Sequence, residues 1–263
     1  MQLTQLQKQQ FIQDGFIVTP GVIPQAMVHD ALRAINHSIG EGIPPEDLPI
    51  LRAQSFCKEI KNTPVITDLF NRTPLFSLVE SLIGEGNFKP AGGGQVALRF
   101  PTMQDPPRSP RPHLDGMYSP TNGVKEGTIA NFTMLVGVYL SDVLTDYAGN
   151  LSVWPGTHTL FEKYFQENGP ESLFNGMPKV EMPQEFQVKA RAGDAVLCHY
   201  QLGHGVTPNV SPFPRYGIFF RIKHHEHDAH SMEVMTDIWK HWPGLHELLG
   251  RESAASNGVP VGA

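Results

Sequence analysis

The chain has 263 residues, and its 25 glycines and 23 prolines argue against a helical bundle and favour short strands joined by turns. Its net charge of -6 at pH 7, without any run of lysine and arginine, argues against nucleic acid as a partner. Its two cysteines, Cys57 and Cys198, lie far apart in the sequence and indicate neither a disulfide framework nor a cysteine-based zinc site.

The first residues of the chain lack the basic stretch and following apolar run of a secretion signal. The longest apolar run, residues 134–138, is far too short to cross a membrane. Since the low cysteine content fits a reducing compartment, we expect a soluble cytoplasmic protein that binds no membrane.

The first part of the chain, residues 1–94, has mostly helical patterns. An amphipathic pattern predicts a helix near residues 3–12, and an apolar run predicts a strand at 16–18. Prolines in the first turn and glycines after the last turn predict further helices at residues 24–38 and 74–83.

From residue 95 onward the pattern becomes that of short strands, rich in β-branched and aromatic residues and separated by Gly, Pro, Asp and Asn. With the N-terminal strand this makes about eight strands, which favours a mainly β, antiparallel architecture with flanking helices. The predicted strands are residues 95–100, 127–140, 150–154, 185–189, 195–200, 204–207 and 216–223.

The last part of the chain predicts a helix at residues 231–248, which contains Trp239 and Trp242 and is expected to pack on the β core. No internal repeat or linker divides the sequence. We therefore expect one domain over residues 1–263, with a helical part at 1–94, a β core at 95–223 and a helical tail at 224–263.

The segment RPHLDGMY places His113 and Asp115 two residues apart. On a strand such residues point to the same face, so an imidazole and a carboxylate would converge on one point. They would supply two of the three ligands in a 2-His-1-carboxylate site, the arrangement that suits Fe(II). A structural pair in a turn is the alternative, because one His-x-Asp arises easily by chance in a chain with 12 histidines.

A second segment strengthens the metal hypothesis. His204 begins a predicted strand, and Arg215 follows eleven residues later at the start of the next one. If the two strands form a hairpin, these residues lie side by side. A guanidinium at that place suits the far carboxylate of a dicarboxylate cosubstrate.

Together these residues resemble the phytanoyl-CoA dioxygenase family of Fe(II)- and 2-oxoglutarate-dependent oxygenases. The family pattern is His-x-Asp, a later His and an Arg about eleven residues beyond it, as in His113, Asp115, His204 and Arg215. The segments QFIQDGFIVTPGVI at residues 10–23 and GNLSVWPGTH at 149–158 are also similar to family segments.

The resemblance implies a double-stranded β-helix, a jelly-roll or cupin-like core. It implies that His113, Asp115 and His204 bind Fe(II) and that Arg215 binds 2-oxoglutarate. O2 would be the oxidant, an aliphatic C–H bond of a small molecule would be hydroxylated, and succinate and CO2 would be released. Hydroxylation is favoured over halogenation because Asp115 is present. Polar cosubstrate contacts are expected from Gln95, Arg99, Asn131 and Thr133.

Other residues offer alternatives for these roles. Arg221 shares the strand face of Arg215 and is the second choice for the cosubstrate carboxylate. His158 is expected to cap its turn and His199 to pack in the core, rather than to bind metal. The proline-rich segment 101–120 is either a stiff surface loop or a lid whose arginines face an anionic substrate.

The densest histidine cluster is KHHEHDAH at residues 223–230. Mixed runs of acidic residues and histidine usually form a solvated edge, so we expect at most adventitious binding of zinc or nickel there. Two other functions stay open for the whole chain: a cupin-like metal enzyme that does not use 2-oxoglutarate, and a non-catalytic small-molecule-binding barrel.

Overall fold

The N-terminal part is helical, as predicted, in a computed structural model that describes residues 1–251. The first helix begins at a capping box, in which Thr4 and Gln7 each accept the other's backbone N–H. The helix predicted at 74–83 is confirmed at those residues, whereas the helices Leu48–Ala53, Pro64–Asn71 and Thr157–Asn168 were not predicted. The helices are α1 Gln5–Asp14, α2 Gln25–Gly40, α3 Leu48–Ala53, α4 Pro64–Asn71, α5 Pro74–Ile83 and α6 Thr157–Asn168.

Eight antiparallel strands form two sheets in the described residues. The larger sheet has the order β1-β6-β3-β8-β2 and the smaller one the order β5-β4-β7. The strands are β1 Phe16–Thr19, β2 Gln95–Arg99, β3 Met134–Tyr139, β4 Leu151–Val153, β5 Phe186–Gln187, β6 Ala195–His199, β7 His204–Val206 and β8 Arg215–Ile222.

The two faces of the larger sheet differ because side chains alternate along each strand. On β8, Ile218 and Phe220 belong to the core cluster shared with the N-terminal helices, where Phe220 packs on Phe70. Arg215 and Arg221 lie on the opposite face, and both line a cavity. This alternation places apolar side chains against the helices and polar side chains toward the functional site.

Three expectations about the fold are wrong. The described part of the chain is not mainly β, since helix accounts for 32% and strand for 18% of residues 1–251. The strand expected at 127–140 begins only at Met134: a turn closed by the Thr128 N–H on the Lys125 carbonyl comes before it, and Ala130 N–H bonds to the carbonyl of Gly116 instead of to a neighbouring strand. Residues 231–248 form short 3₁₀ turns instead of an α-helix, and one of these turns starts at Pro243.

The predicted packing of the C-terminal tryptophans is confirmed. Trp239 and Trp242 are buried in the core shared with the helices, and the Trp242 ring centroid lies 5.1 Å from that of Phe11. Over residues 1–251, none of the helices combines the length and the apolar character needed to cross a membrane.

Candidate active site

Three side chains with metal-binding atoms meet between the two sheets. His113 forms an antiparallel bridge with His204, with backbone N···O distances of 2.8 and 3.1 Å, so the rings lie beside each other. Asp115 Oδ1 is 3.5 Å from His113 Nε2 and 3.7 Å from His204 Nε2. One donor atom from each residue lies within 4.8 Å of the others, which is close enough to share a metal ion.

The turn after His113 depends on glycine. Gly116 has a φ of +87°, and a Cβ there would lie 2.8 Å from the backbone of Ala130. Because this turn brings Asp115 back toward the imidazoles, the geometry is that of a bridge followed by a turn. It is not the continuous strand that the His-x-Asp spacing suggested.

The imidazole of His204 has a fixed orientation. It is buried, and its Nδ1 lies 3.0 Å from the carbonyl oxygen of Leu202, which requires a proton on Nδ1. Its Nε2, which faces Asp115 Oδ1 at 3.7 Å, is therefore the ring nitrogen that can bind a metal ion. This is the tautomer and orientation that a metal ligand needs.

Arg221 binds the other oxygen of Asp115. Its Nε and Nη2 lie 3.0 and 2.8 Å from Asp115 Oδ2, and its Nη1 donates to Gln95 Oε1 at 2.9 Å. Burial alone would raise the pKa of Asp115, but Arg221 and the contacts with His113 and His204 hold that pKa well below its usual value. The carboxylate is thus ionised, with Oδ1 turned toward the imidazoles.

A cavity of about 400 Å³ opens onto these three residues. Arg215 lies in the wall of this cavity and is only 3% exposed. Its Nε donates to the carbonyl oxygen of Gly149 at 3.0 Å, and its Nη1 donates to the carbonyl oxygen of Ala97 at 3.2 Å. Gly149 allows this approach, because a Cβ there would lie 2.9 Å from Arg99 and 3.2 Å from Arg215.

Arg99 and Arg215 lack a counterion. They are cross-strand partners on β2 and β8, and no carboxylate in residues 1–251 forms an ion pair with either. Burial is the main reason why the pKa of Arg215 falls to about 9, and the positive charge of Arg99 lowers it further. Burial likewise lowers the pKa of Arg99 to about 10, with a smaller contribution from the charge of Arg52. Arg215 is buried and Arg99 is half-buried, and guanidiniums held in this way without a carboxylate partner favour the binding of an anion.

Most of the residues singled out from the sequence meet at this cavity. Two do not: Asn131 Oδ1 lies 3.0 Å from His227 Nε2, and Thr133 Oγ1 lies 3.3 Å from His227 Nδ1. Both precede β3, next to the segment that follows β8, and they are absent from the cavity wall. The residues that do line it are Gln95, Arg99, His113, Asp115, His204 and Arg215.

The hairpin argument for Arg215 is wrong, although the residue does reach the cavity. His204 is on β7 of the smaller sheet and Arg215 is on β8 of the larger sheet, so they approach from the two different sheets. Sequence reasoning also missed Arg52 on α3 and Phe219, which line the same cavity. Strand parity with Arg215 would have indicated Phe219, whereas nothing local marks Arg52.

The remaining histidines have other contacts. His158 does not cap its own turn, because its Nε2 lies 3.0 Å from the carbonyl oxygen of Ile12 in α1. His199 is buried, as expected, with its Nε2 3.1 Å from the carbonyl oxygen of Ile238. The cluster at residues 223–230 is not simply a solvated edge, because His227 is only 1% exposed.

Comparison with known proteins gives a consistent result. A family model described as Phytanoyl-CoA dioxygenase (PhyH) matches residues 11–217. No curated protein sequence matches the chain significantly. The solved structure of HygX from Streptomyces hygroscopicus with nickel and 2-oxoglutarate bound is similar, with a TM-score of 0.55, 20% identity, and coverage of 85% of this chain and 88% of that one.

Two other solved structures have a similar fold. One is EctD from S. alaskensis in its apoform, with a TM-score of 0.55, 17% identity, and coverage of 84% of this chain and 77% of that one. The other is the non-heme alpha ketoglutarate dependent epimerase SnoN from nogalamycin biosynthesis, with a TM-score of 0.52, 17% identity, and coverage of 84% and 82%. At this level of identity the likeness shows a common fold.

Proposed function

The chain belongs to the phytanoyl-CoA dioxygenase (PhyH) family of Fe(II)- and 2-oxoglutarate-dependent dioxygenases, and on this premise we propose that His113, Asp115 and His204 bind its iron and that it hydroxylates an aliphatic C–H bond of a small molecule. We further propose that the two sheets are the walls of a double-stranded β-helix within a single domain. The observation that carries the proposal is the convergence of the three donor atoms on the arginine-lined cavity.

The donor set fits Fe(II). Two imidazole nitrogens and one carboxylate oxygen on one side of an ion leave the opposite side open to other ligands. That open side is the cavity, which provides room for a cosubstrate and a substrate. Bound there, Fe(II) with 2-oxoglutarate and O2 supplies the oxidising chemistry for C–H hydroxylation, with release of succinate and CO2.

The protein's own residues position these partners. Arg215 receives the distal carboxylate of 2-oxoglutarate, and Arg99 lies beside it on the neighbouring strand. Arg221 occupies Asp115 Oδ2, so only Oδ1 is free to face the metal. Leu135, Leu151 and Val206 form an apolar part of the wall that excludes water.

The charge of the cavity indicates an anionic substrate. Four guanidinium groups line it, from Arg52, Arg99, Arg215 and Arg221, against the single carboxylate of Asp115. The charges of Fe(II) and dianionic 2-oxoglutarate cancel, so binding both leaves the excess positive charge in place. Arg52 is exposed on α3 and is therefore the arginine best placed to meet a carboxylate or phosphate group of the substrate.

The experiment that tests this function is anaerobic addition of Fe(II) and 2-oxoglutarate to the purified protein. The chelate of the two should give a weak visible charge-transfer band in the wild-type protein. His204→Ala should lose the band because a metal ligand is missing. Arg215→Ala should need a much higher concentration of 2-oxoglutarate than the wild-type protein to give the full intensity of the band. A wild-type protein without the band would contradict the proposal.

Arg52→Ala should weaken only the use of anionic substrates. In a panel of aliphatic acids and phosphates paired with their neutral esters, the anionic members should stimulate succinate release. The variant should raise their KM about fivefold, as expected for an exposed ion pair worth about 1 kcal/mol, and leave the KM for 2-oxoglutarate unchanged. Arg108→Ala is the matched control, because Arg108 does not line the cavity. Equal stimulation by the neutral esters would refute an anionic substrate.

A further inference from the structure

Four histidines gather where the chain leaves β8 and returns through the C-terminal segment. The rings of His224 and His241 are stacked, with centroids 4.4 Å apart and an interplanar angle of 9°. The rings of His227 and His230 lie 5.8 and 5.9 Å from that of His241. These residues are separate from the arginine-lined cavity, whose wall includes none of them.

The hydrogen bonds distinguish these histidines. His227 uses both ring nitrogens, with Asn131 and Thr133, and His230 Nδ1 bonds to Glu233. His241 is only 3% exposed, yet neither of its ring nitrogens has a hydrogen-bond partner in the described part of the chain. Leaving a buried polar group unsatisfied is unfavourable, so this imidazole indicates a ligand that the protein atoms do not supply.

We propose that His224, Glu226 and His241 form a second metal site, suited to Zn(II) and distinct from the iron site. One donor atom from each of the three lies within 4.8 Å of the others. Two imidazole nitrogens with a carboxylate oxygen are ligands that zinc accepts in a tetrahedral site, and water completes the coordination because Glu226 is exposed.

The protonation state supports binding. Burial is the main reason why the pKa of His241 falls to about 3, and the neighbouring histidines lower it further. Burial also lowers the pKa of His224. Burial therefore favours the neutral form of both imidazoles, which is the form that binds a metal ion. His224 Nδ1 accepts the Glu226 N–H at 3.2 Å, so Nε2 is the His224 atom that is free to bind.

Binding requires the stacked rings to turn. A metal ion lies in the plane of each imidazole that ligates it, which two parallel rings cannot satisfy together. Tetrahedral donors about 2.0–2.1 Å from zinc are roughly 3.3 Å apart, so the three donor atoms, which lie within 4.8 Å of one another, would move closer by at most about 1.5 Å. His224 is only half-buried and can make this rotation.

The site would join two distant parts of the fold. His224 and Glu226 follow β8 directly, whereas His241 precedes Trp242, which packs on Phe11 and stacks on His199 at 5.0 Å. Residues 231–248 lack a regular helix of their own. A metal ion would hold this segment against the sheet, so its role is structural.

The test is the zinc content and thermal stability of the full-length protein. In the double variant His113→Ala/His204→Ala, which removes the iron site, we expect one Zn(II) per chain after gel filtration, measured by mass spectrometry of the metal. Zinc at a hundredfold excess over Kd should raise the Tm by roughly 5–10 °C. Adding His224→Ala or Glu226→Gln should abolish both the bound zinc and the shift.

His225→Ala in the same background is the matched control, because His225 is exposed and its Nε2 bonds to the Gly86 carbonyl. It should retain the zinc. Co(II) in place of zinc should give the strong visible absorption of a tetrahedral site only in variants that keep His224, Glu226 and His241. The proposal fails if the double variant retains no zinc, or if His224→Ala and Glu226→Gln bind as much as His225→Ala. The iron site is tested separately by the charge-transfer band.

Discussion

Replacing His204 with alanine should reduce succinate formation from 2-oxoglutarate by about a thousandfold or more. Loss of a residue that only orients a metal ligand typically costs 10–100-fold, and His204 is itself a proposed ligand with its Nε2 turned toward Asp115. The measurement is single-turnover succinate release at saturating Fe(II) and 2-oxoglutarate. Asp115→Asn should have a similar effect, because a neutral amide oxygen is a weaker ligand than a carboxylate.

His29→Ala is the control for this variant, since His29 is exposed on α2 and absent from the cavity wall. It should keep wild-type activity. The thermal stability of each variant shows whether lost activity reflects lost folding. A His204→Ala protein that folds and retains more than a few per cent of the wild-type rate would show that His204 is not an iron ligand.

Arg215→Ala should raise the KM for 2-oxoglutarate at least about thirtyfold, because truncating one partner of a buried, hydrogen-bonded charge pair costs about 2–5 kcal/mol. Arg215→Lys should give a smaller rise, since it keeps the charge but loses the guanidinium fork that donates to Gly149 and Ala97. The KM should be measured from succinate release at saturating substrate.

A shorter 2-oxo acid without the distal carboxylate separates this role from general damage. The wild-type protein should prefer 2-oxoglutarate strongly, and Arg215→Ala should lose most of that preference. Arg221 is the competing candidate for the same carboxylate. If Arg221→Leu abolishes the preference while Arg215→Ala retains it, the assignment of Arg215 is wrong.

The structure indicates a positioning role for Arg221 instead. Its bonds to Asp115 Oδ2 hold the carboxylate so that Oδ1 faces the two imidazoles, and its third nitrogen bonds to Gln95. Because side chains alternate along a strand, the sequence predicts that Arg215 and Arg221 lie on the same face of β8. It does not predict which of the two arginines has a carboxylate partner in the protein.

The proposed site residues could be picked out from the sequence because each half of the family pattern is short. His113 and Asp115 are two residues apart, and His204 and Arg215 are eleven apart. Asn131 and Thr133 illustrate the limit of such reasoning. Both were expected on a strand but lie just before β3, and they contact His227, which is almost a hundred residues away in the chain.

The sequence by itself determined the helical N-terminal part and the strand-rich second part, since these patterns depend on neighbours within a few residues, and it pointed to the four proposed site residues through the spacing of the family pattern. Only the tertiary structure decided that β7 and β8 belong to different sheets, that Arg52 reaches the cavity and that His241 stacks on His224. Such contacts join residues far apart in the chain, so they depend on how the sheets and the C-terminal segment pack and leave no local pattern in the sequence.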